Sequence, residues 1–378
     1  MTDSIRAEYY AGTGAQARDS VIAPLATERL ACTGSLHKTG GVTLNSIQSL
    51  RAIAAFIVVV FHSHIGFASS YPALSFSNEA YLFGFGKVGV HIFFVISGYI
   101  MYLTSFGTGK QFAPKSFLTK RFLRVYPIYW VFVVLYVAVA YLLMSPPKLA
   151  ADQYVGMVLL LPGTAPLLIG PAWTLSYEIY FYIAFAAAMM FGQTRGLIAL
   201  TVFFGLSIAL GFILRPQAAA TSLMTNALLL EFIMGVWIAR VTTLHAFPKA
   251  MGWVALGAAV IGYAIGLALG YDRLPSAALW GVPSALLVAG AVILEQQNSA
   301  VMTALYKKVS WLGDSSYSLY LCHILIIELV LNMQPFQISL IGLVALNTIV
   351  CVVFAAIFYR LVERPFIQYL QRWLVKRA

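Results

Sequence analysis

The chain has 378 residues, 61% of them apolar and only 10% charged, and its mean hydropathy is +0.84. A soluble domain carries about 25% charged residues, so an ordinary water-soluble fold is excluded. The net charge of +11 is scattered over short connections between apolar runs, and no soluble basic face exists that would bind nucleic acid.

Residues 1–43 differ in kind from the rest. They hold four acidic and four basic side chains, many small residues and no apolar run of signal-peptide length. Leu30-Ala31-Cys32 echoes a lipoprotein cleavage site, but the apolar segment that should precede it is missing. The composition predicts a flexible cytoplasmic tail. From there on, stretches of about 20 apolar residues recur, each long enough to cross a bilayer. They predict ten helices near 49–68, 82–104, 122–144, 173–191, 196–214, 223–241, 251–270, 277–294, 316–333 and 338–359. The expected fold is therefore all-α, a polytopic helical membrane bundle. Tyr154–Ile169 is apolar but interrupted by Pro162 and Pro166, and reads as a short or re-entrant element.

The basic residues orient this bundle. With both termini inside, 20 of the 24 Lys and Arg residues fall on the cytoplasmic side. Lys87, Lys148, Arg215 and Arg273 remain outside. Such an asymmetry is the positive-inside bias, and it places the chain in a cytoplasmic membrane facing an anionic leaflet. Residues 369–378 read as a basic cytoplasmic tail. The three cysteines, Cys32, Cys322 and Cys351, form no disulfide framework.

Ionisable groups inside a membrane are costly, roughly 2.5–3.5 kcal/mol each by insertion scales, so their default role is functional. Arg51 and His62 stand eleven residues apart in one apolar run. At about 100° per residue that spacing returns both to one face, roughly 16 Å apart along the axis. His64 points about 200° away from His62 and reads as a bystander. His91 lies in a second apolar run, six residues before Ser97 and Gly98. Glu178 follows Trp173, an aromatic suited to the outer interface, and a buried carboxylate must be paired, protonated or wet. His62 and His91, expected at similar depth, are its candidate partners. Glu231 is a second intramembrane carboxylate, equally suited to a helix-to-helix hydrogen bond or ion pair and to catalysis. His323 lies inside the ninth run. No metal-ligand spacing stands out, because the intramembrane histidines sit on at least three helices.

The ordered motifs resemble those of the membrane acyltransferase family 3. Ser49-Leu-Arg51 with His62 is similar to its Arg-x10-His signature. Gly89-Val-His91-Ile-Phe-Phe-Val-Ile-Ser-Gly98-Tyr, Lys120-Arg121-Phe-Leu-Arg124-Val-Tyr-Pro127, Trp173-Thr-Leu-Ser-Tyr-Glu178 and Glu363-Arg-Pro365 match further segments in order. The resemblance covers about residues 44–368 and is strongest toward the branch that decorates bacterial exopolysaccharides. His91 is a departure, since the family usually carries Asp there; Glu178 then becomes the expected acidic member.

The resemblance implies transfer of an acyl group, most commonly acetyl, from acyl-CoA to a sugar hydroxyl of an exopolysaccharide or a lipid-linked precursor. Arg51, Arg121 and Arg124 at the cytoplasmic edge would bind CoA phosphates. His62 would act as general base, with an acyl-histidine intermediate as a variant. Glu178 would orient the imidazole or the acceptor, and His91 or Ser97 would hold the oxyanion or the sugar. Trp173, Glu231 and His323 complete the expected acceptor contacts. A proton-coupled transporter or flippase is the alternative class, but its usual sign, a pair of broken helices in repeated halves, is not present.

Overall fold

A computed structural model describes residues 44–76, 83–106, 112–143, 150–162, 168–270, 275–333 and 338–375. The expected N-terminal tail lies outside these residues. Among the described residues the chain is helical, with no strand. In chain order the helices are α1 (Asn45–Ser70), α2 (Val88–Phe106), α3 (Pro114–Leu143), α4 (Ala151–Leu159), α5 (Trp173–Met189), α6 (Gln193–Leu214), α7 (Ala219–Met224) and α8 (Leu229–Leu244). They continue as α9 (Lys249–Leu269), α10 (Val282–Gln296), α11 (Ala300–Gly313), α12 (Ser316–Asn332), α13 (Leu340–Phe358) and α14 (Arg364–Val375).

Each of the ten expected spans corresponds to a helix, and among the described residues eight stretches are long and apolar enough to cross a membrane, α8 counted with α7 and α10 with the turn before it. The two that fall short are informative. Helix α5 has 17 residues, about 26 Å at 1.5 Å per residue, less than the ~30 Å hydrocarbon core. Helix α12 also has 17 residues and is joined to α11 at a bend of 56°. Helix α11, which hydropathy did not single out, lies along α1: Gly313 rests against the carbonyl of Gln48, and Ser49 Oγ donates to the Tyr306 carbonyl at 3.1 Å. The expected basic tail is helical through Val375 as part of α14.

Helix α4 is the interrupted element anticipated between Tyr154 and Ile169. It ends at Leu160 in a left-handed conformation (φ 56°), and its last carbonyls have no continuing helix to bond. Side chains take them up instead. Tyr129 Oη donates to Met157 O at 2.8 Å, Trp130 Nε1 to Val158 O at 2.9 Å, Tyr126 Oη to Leu159 O at 3.0 Å and Ser176 Oγ to Leu160 O at 2.7 Å. Irregular backbone at membrane depth is tolerated only when it is satisfied in this way. Farther along, Tyr320 Oη donates to the Pro171 carbonyl at 2.5 Å and lies 2.8 Å from Thr174 Oγ1, so α5 starts inside the bundle rather than at its rim.

Two devices fix the centre. The first is a small-residue crossing of α2 and α8, where Gly98 faces the Phe232 carbonyl and Gly235 faces the Val95 carbonyl. Small residues let membrane helices approach closely when no hydrophobic force distinguishes helix from lipid. The second is a pair of π-turns, Ala277–Gly281 before α10 and Tyr359–Glu363 after α13. Each interrupts an otherwise regular helical course beside a buried carboxylate, a placement frequent at functional sites. Helix α1 has no side-chain cap of its own; the Glu295 carboxylate accepts its first amides, Asn45 N at 2.8 Å and Ser46 N at 3.0 Å. The negative group complements the positive end of the helix dipole.

Gly98→Ala should lower stability by about 1–3 kcal/mol, because the new methyl meets rigid backbone at Phe232. Thermal unfolding of the purified variant in detergent checks this; a wild-type midpoint would show that α2 and α8 are less tightly crossed.

Candidate functional site

Three arginines gather at one end of the bundle. Arg51 rises from the second turn of α1 and donates Nη1 to Gln48 Oε1 at 3.1 Å; Gln48 in turn bonds Asp314 at 2.9 Å. Arg121 and Arg124 lie near the start of α3. Arg121 Nη2 donates to Thr104 Oγ1 at 2.5 Å, and its guanidinium stands over the rings of Phe117 and Tyr182 at 5.3 and 5.7 Å. Arg124 covers the Tyr317 ring at 5.8 Å and pairs with Glu363 Oε1 at 3.5 Å. Glu363 is fully buried and accepts a further hydrogen bond from Ser318 Oγ. Arg51 lies within electrostatic reach of Arg124, Glu363 and Glu178. The result is a half-buried guanidinium cluster, geometrically suited to phosphate or carboxylate oxygens.

Glu178 belongs to this cluster and not to a histidine. Its Oε1 accepts from Ser97 Oγ at 2.7 Å and from Tyr182 Oη, the ring over which Arg121 sits. The expected pairing of Glu178 with His62 or His91 is therefore corrected: its Oε1 is taken by two hydroxyls beside the arginines, and neither imidazole bonds it. With its proton directed at Glu178, Ser97 is committed as a donor, and the expected oxyanion role does not fit this arrangement.

His62 and His91 are not at similar depth either. Gly86 packs against Ile57 and Phe61, and Gly89 against Ala54 and Val58. That register sets His91 opposite roughly Ala54, about two helical turns (~11 Å) closer to the arginines than His62. His91 Nδ1 instead meets Glu231 Oε1 at 2.6 Å, with both side chains buried. Glu231 is wedged under the first π-turn, where a Cβ on Gly281 would stand 2.7 Å from Oε1. The pair fastens α2 to α8. Trp173 is exposed, and its ring lies 6.4 Å from that of Phe94, at mid-bundle rather than at the outer rim.

His62 is half-buried in the fourth and fifth turns of α1. Its Nδ1 lies 2.9 Å from the Val58 carbonyl. A carbonyl only accepts, so Nδ1 carries the proton and Nε2 keeps its lone pair for chemistry. The neighbouring ring is that of His323, 5.0 Å away at 53°. His323 is fully buried, and among the described residues no side chain hydrogen-bonds its ring; the acceptors beside it are the Leu319 and Tyr320 carbonyls of its own helix. His64 stacks on Phe83 at 4.4 Å, away from this pair.

Sequence reasoning did not single out Tyr182, Tyr317 and Ser318, and it met Glu363 only inside a motif. Aromatic and hydroxyl side chains are common in membrane helices, and they acquire meaning only when a fold puts them against a charge. No convergence of three or more metal-ligating side chains occurs among the described residues. A cavity of about 490 Å³ opens at the arginine end, lined by Phe106, Phe112, Pro114, Met189, Met190, Gly192 and Gln193, none of them a predicted site residue.

A family profile described as an acyltransferase domain matches residues 44–360. The chain belongs to the acyltransferase family 3. Among curated proteins it is 29% identical over 258 residues to the exopolysaccharide production protein ExoZ of Rhizobium meliloti (strain 1021), covering 66% of this chain and 78% of the relative. No solved structure matches. Arg51, Arg121, Arg124, Glu178, His62 and His323 fall within the matched residues, and Glu363 lies three residues beyond them.

Arg124→Ala should destabilise the protein by about 1–3 kcal/mol, since it strands the buried Glu363 carboxylate. Combining it with Glu363→Gln should recover part of that loss. Thermal unfolding in detergent measures both; additive losses in the double variant would show that the two side chains do not interact.

Proposed function

We propose that this family 3 acyltransferase moves an acyl group, acetyl in the first instance, from acyl-CoA to a sugar hydroxyl of an exopolysaccharide or its lipid-linked precursor. The observation that carries this proposal is the arrangement along α1. A guanidinium cluster stands at one end, and an imidazole with its Nε2 lone pair available lies eleven residues further on the same face. The likeness to an exopolysaccharide production protein supports the acceptor class.

The mechanism follows from those two stations. Arg51 and Arg121, with the outer face of Arg124, bind the CoA phosphates, and the pantetheine arm carries the thioester along α1 toward His62. His62 Nε2 removes the proton from the attacking hydroxyl as the new C–O bond forms. The tetrahedral intermediate collapses with loss of the CoA thiolate, which takes the proton back from His62. Glu178 acts from the binding end: it fixes Ser97 and Tyr182, and through the Tyr182 ring it fixes Arg121. The His91–Glu231 pair holds the frame between α2 and α8. In this proposal the arginine end faces the cytoplasm, the chain resides in the bacterial cytoplasmic membrane, and residues 44–368 form the catalytic domain between cytoplasmic terminal segments.

Three outcomes test the proposal. Reporters inserted at 107–109 and after Ala378 should both read as cytoplasmic; an external signal at either would reverse the orientation. Arg121→Gln should raise KM for acetyl-CoA about tenfold with kcat within about twofold, since a phosphate contact acts equally on ground and transition states. An unchanged KM with collapsed turnover would remove Arg121 from the donor site. His62→Ala should lower ester formation by about 10²–10⁴ while the protein remains folded, whereas His64→Ala retains most activity. Near wild-type acylation by purified His62→Ala would overturn the mechanism.

A further inference from the structure

One buried group of the bundle has no part in the mechanism above. His323 is 0% exposed and lies in the middle of α12; among the described residues no side chain bonds Nδ1 or Nε2, and the acceptors beside its ring are the Leu319 and Tyr320 carbonyls of its own helix. Other polar side chains of the interior found partners: Glu178 has Ser97 and Tyr182, Glu363 has Arg124 and Ser318, and His91 has Glu231. Carbonyls can take up its N–H but not its lone pair, and a nitrogen lone pair left in hydrocarbon without a donor is costly unless another state uses it. Its polar neighbour in ring contact is His62, at 5.0 Å, and the Tyr320 ring closes its other side at 5.8 Å.

The general base changes charge during the reaction. When Nε2 of His62 takes the hydroxyl proton, a neutral ring becomes an imidazolium inside a low-dielectric bundle. No carboxylate contacts His62 to balance that charge, and its Nδ1–H is already directed at the Val58 carbonyl. The idle nitrogen lone pair of His323 is the dipole available beside it. Two imidazolium ions this close in hydrocarbon would repel strongly, so one ring carries the charge and the other supports it.

We propose that His323 is a positioning residue that stabilises the imidazolium form of His62 during acyl transfer. The proposal rests on the acyl transfer put forward above and deepens it. The step balances as follows. The acceptor oxygen bonds to the thioester carbon, the carbonyl π pair moves to oxygen, and the hydroxyl proton passes to His62 Nε2 while His323 presents its lone pair to the charged ring. The oxyanion pair then reforms the carbonyl, the C–S bond breaks toward sulfur, and the proton leaves Nε2 for the thiolate. His323 ends the cycle unchanged.

Two substitutions separate this role from simple packing. His323→Phe keeps a ring against His62 and Tyr320 but removes the lone pair, and His323→Gln restores an acceptor oxygen in a smaller, differently shaped side chain. The purified proteins in lipid nanodiscs receive acetyl-CoA and de-esterified polysaccharide from the host. Thermal unfolding is recorded alongside. The expected result is a loss of about 10–100-fold in kcat for His323→Phe with KM for acetyl-CoA within about twofold, because a group acting behind the base affects turnover and not donor binding. His323→Gln should regain most of that loss. A His323→Phe variant at near wild-type kcat overturns the proposal. So does equal impairment of both variants together with a lowered unfolding temperature, the pattern of a packing defect. If the wild-type protein itself transfers nothing from acetyl-CoA or from longer acyl-CoA thioesters, the acyl-CoA reaction falls first and this role falls with it.

Discussion

Hydrocarbon offers no hydrogen bonds, and that constraint organises this protein from its backbone to its chemistry. It explains why the short helix α4 ends where it does. The carbonyls of Val158, Leu159 and Leu160 at its C-terminus would be left bare in lipid and that of Met157 would keep only the Leu160 amide, and four side chains from α3 and α5 arrive to take them. The same constraint explains why buried carboxylates come with assigned partners: hydroxyls for Glu178, an arginine and a serine for Glu363, an imidazole for Glu231. Polar groups here act as fasteners between helices as much as reagents.

Within that frame α1 works as a ruler. Its 26 residues hold a guanidinium near one end and an imidazole eleven residues on, and a helix has no soft torsion between them. Its own start is clamped by Glu295, and its flanks are held by α2 and α11, so the spacing between the two stations is fixed before any ligand enters. The remaining elements decide what surrounds each station. At the first, aromatic rings and carboxylates spread the charge of three arginines. At the second, Val58 sets the tautomer of His62 and His323 fills the space behind it.

The sequence made the all-α membrane fold and the ten apolar elements legible because hydropathy and length are local properties, readable without knowing neighbours. It made Arg51 and His62 legible as one face because helical period is local too. The partners were not legible. Glu178 was expected to join His62 or His91, and it joins Ser97 and Tyr182, while His91 joins Glu231. Those choices depend on the register between helices, which is set by glycines at 86, 89, 98 and 235 and by the depth at which α5 begins. A short span preceded by irregular backbone starts inside the bundle, so counting turns from an assumed rim misplaced Glu178 and Trp173. Helix α11 escaped notice because its 14 residues, interrupted by Lys307 and Lys308, make no apolar run of spanning length.

The two π-turns bear on how the bundle tolerates a change in length. A π-turn holds one residue more than the α-helix it interrupts, and it stores that residue without breaking the helix. Deleting a single residue within Tyr359–Glu363 would let the chain close into regular α-helix and would leave α13 intact. Residues beyond it would nearly hold their places, because the turn had stored the extra residue, and the change would fall on the turn itself, whose last residue is Glu363. Glu363 would then leave the face it shares with Arg124 and Ser318, and the arginine cluster would lose its buried counter-charge. One extra residue thus aims a carboxylate, and the length of this connection is as much a part of the site as the side chains it presents.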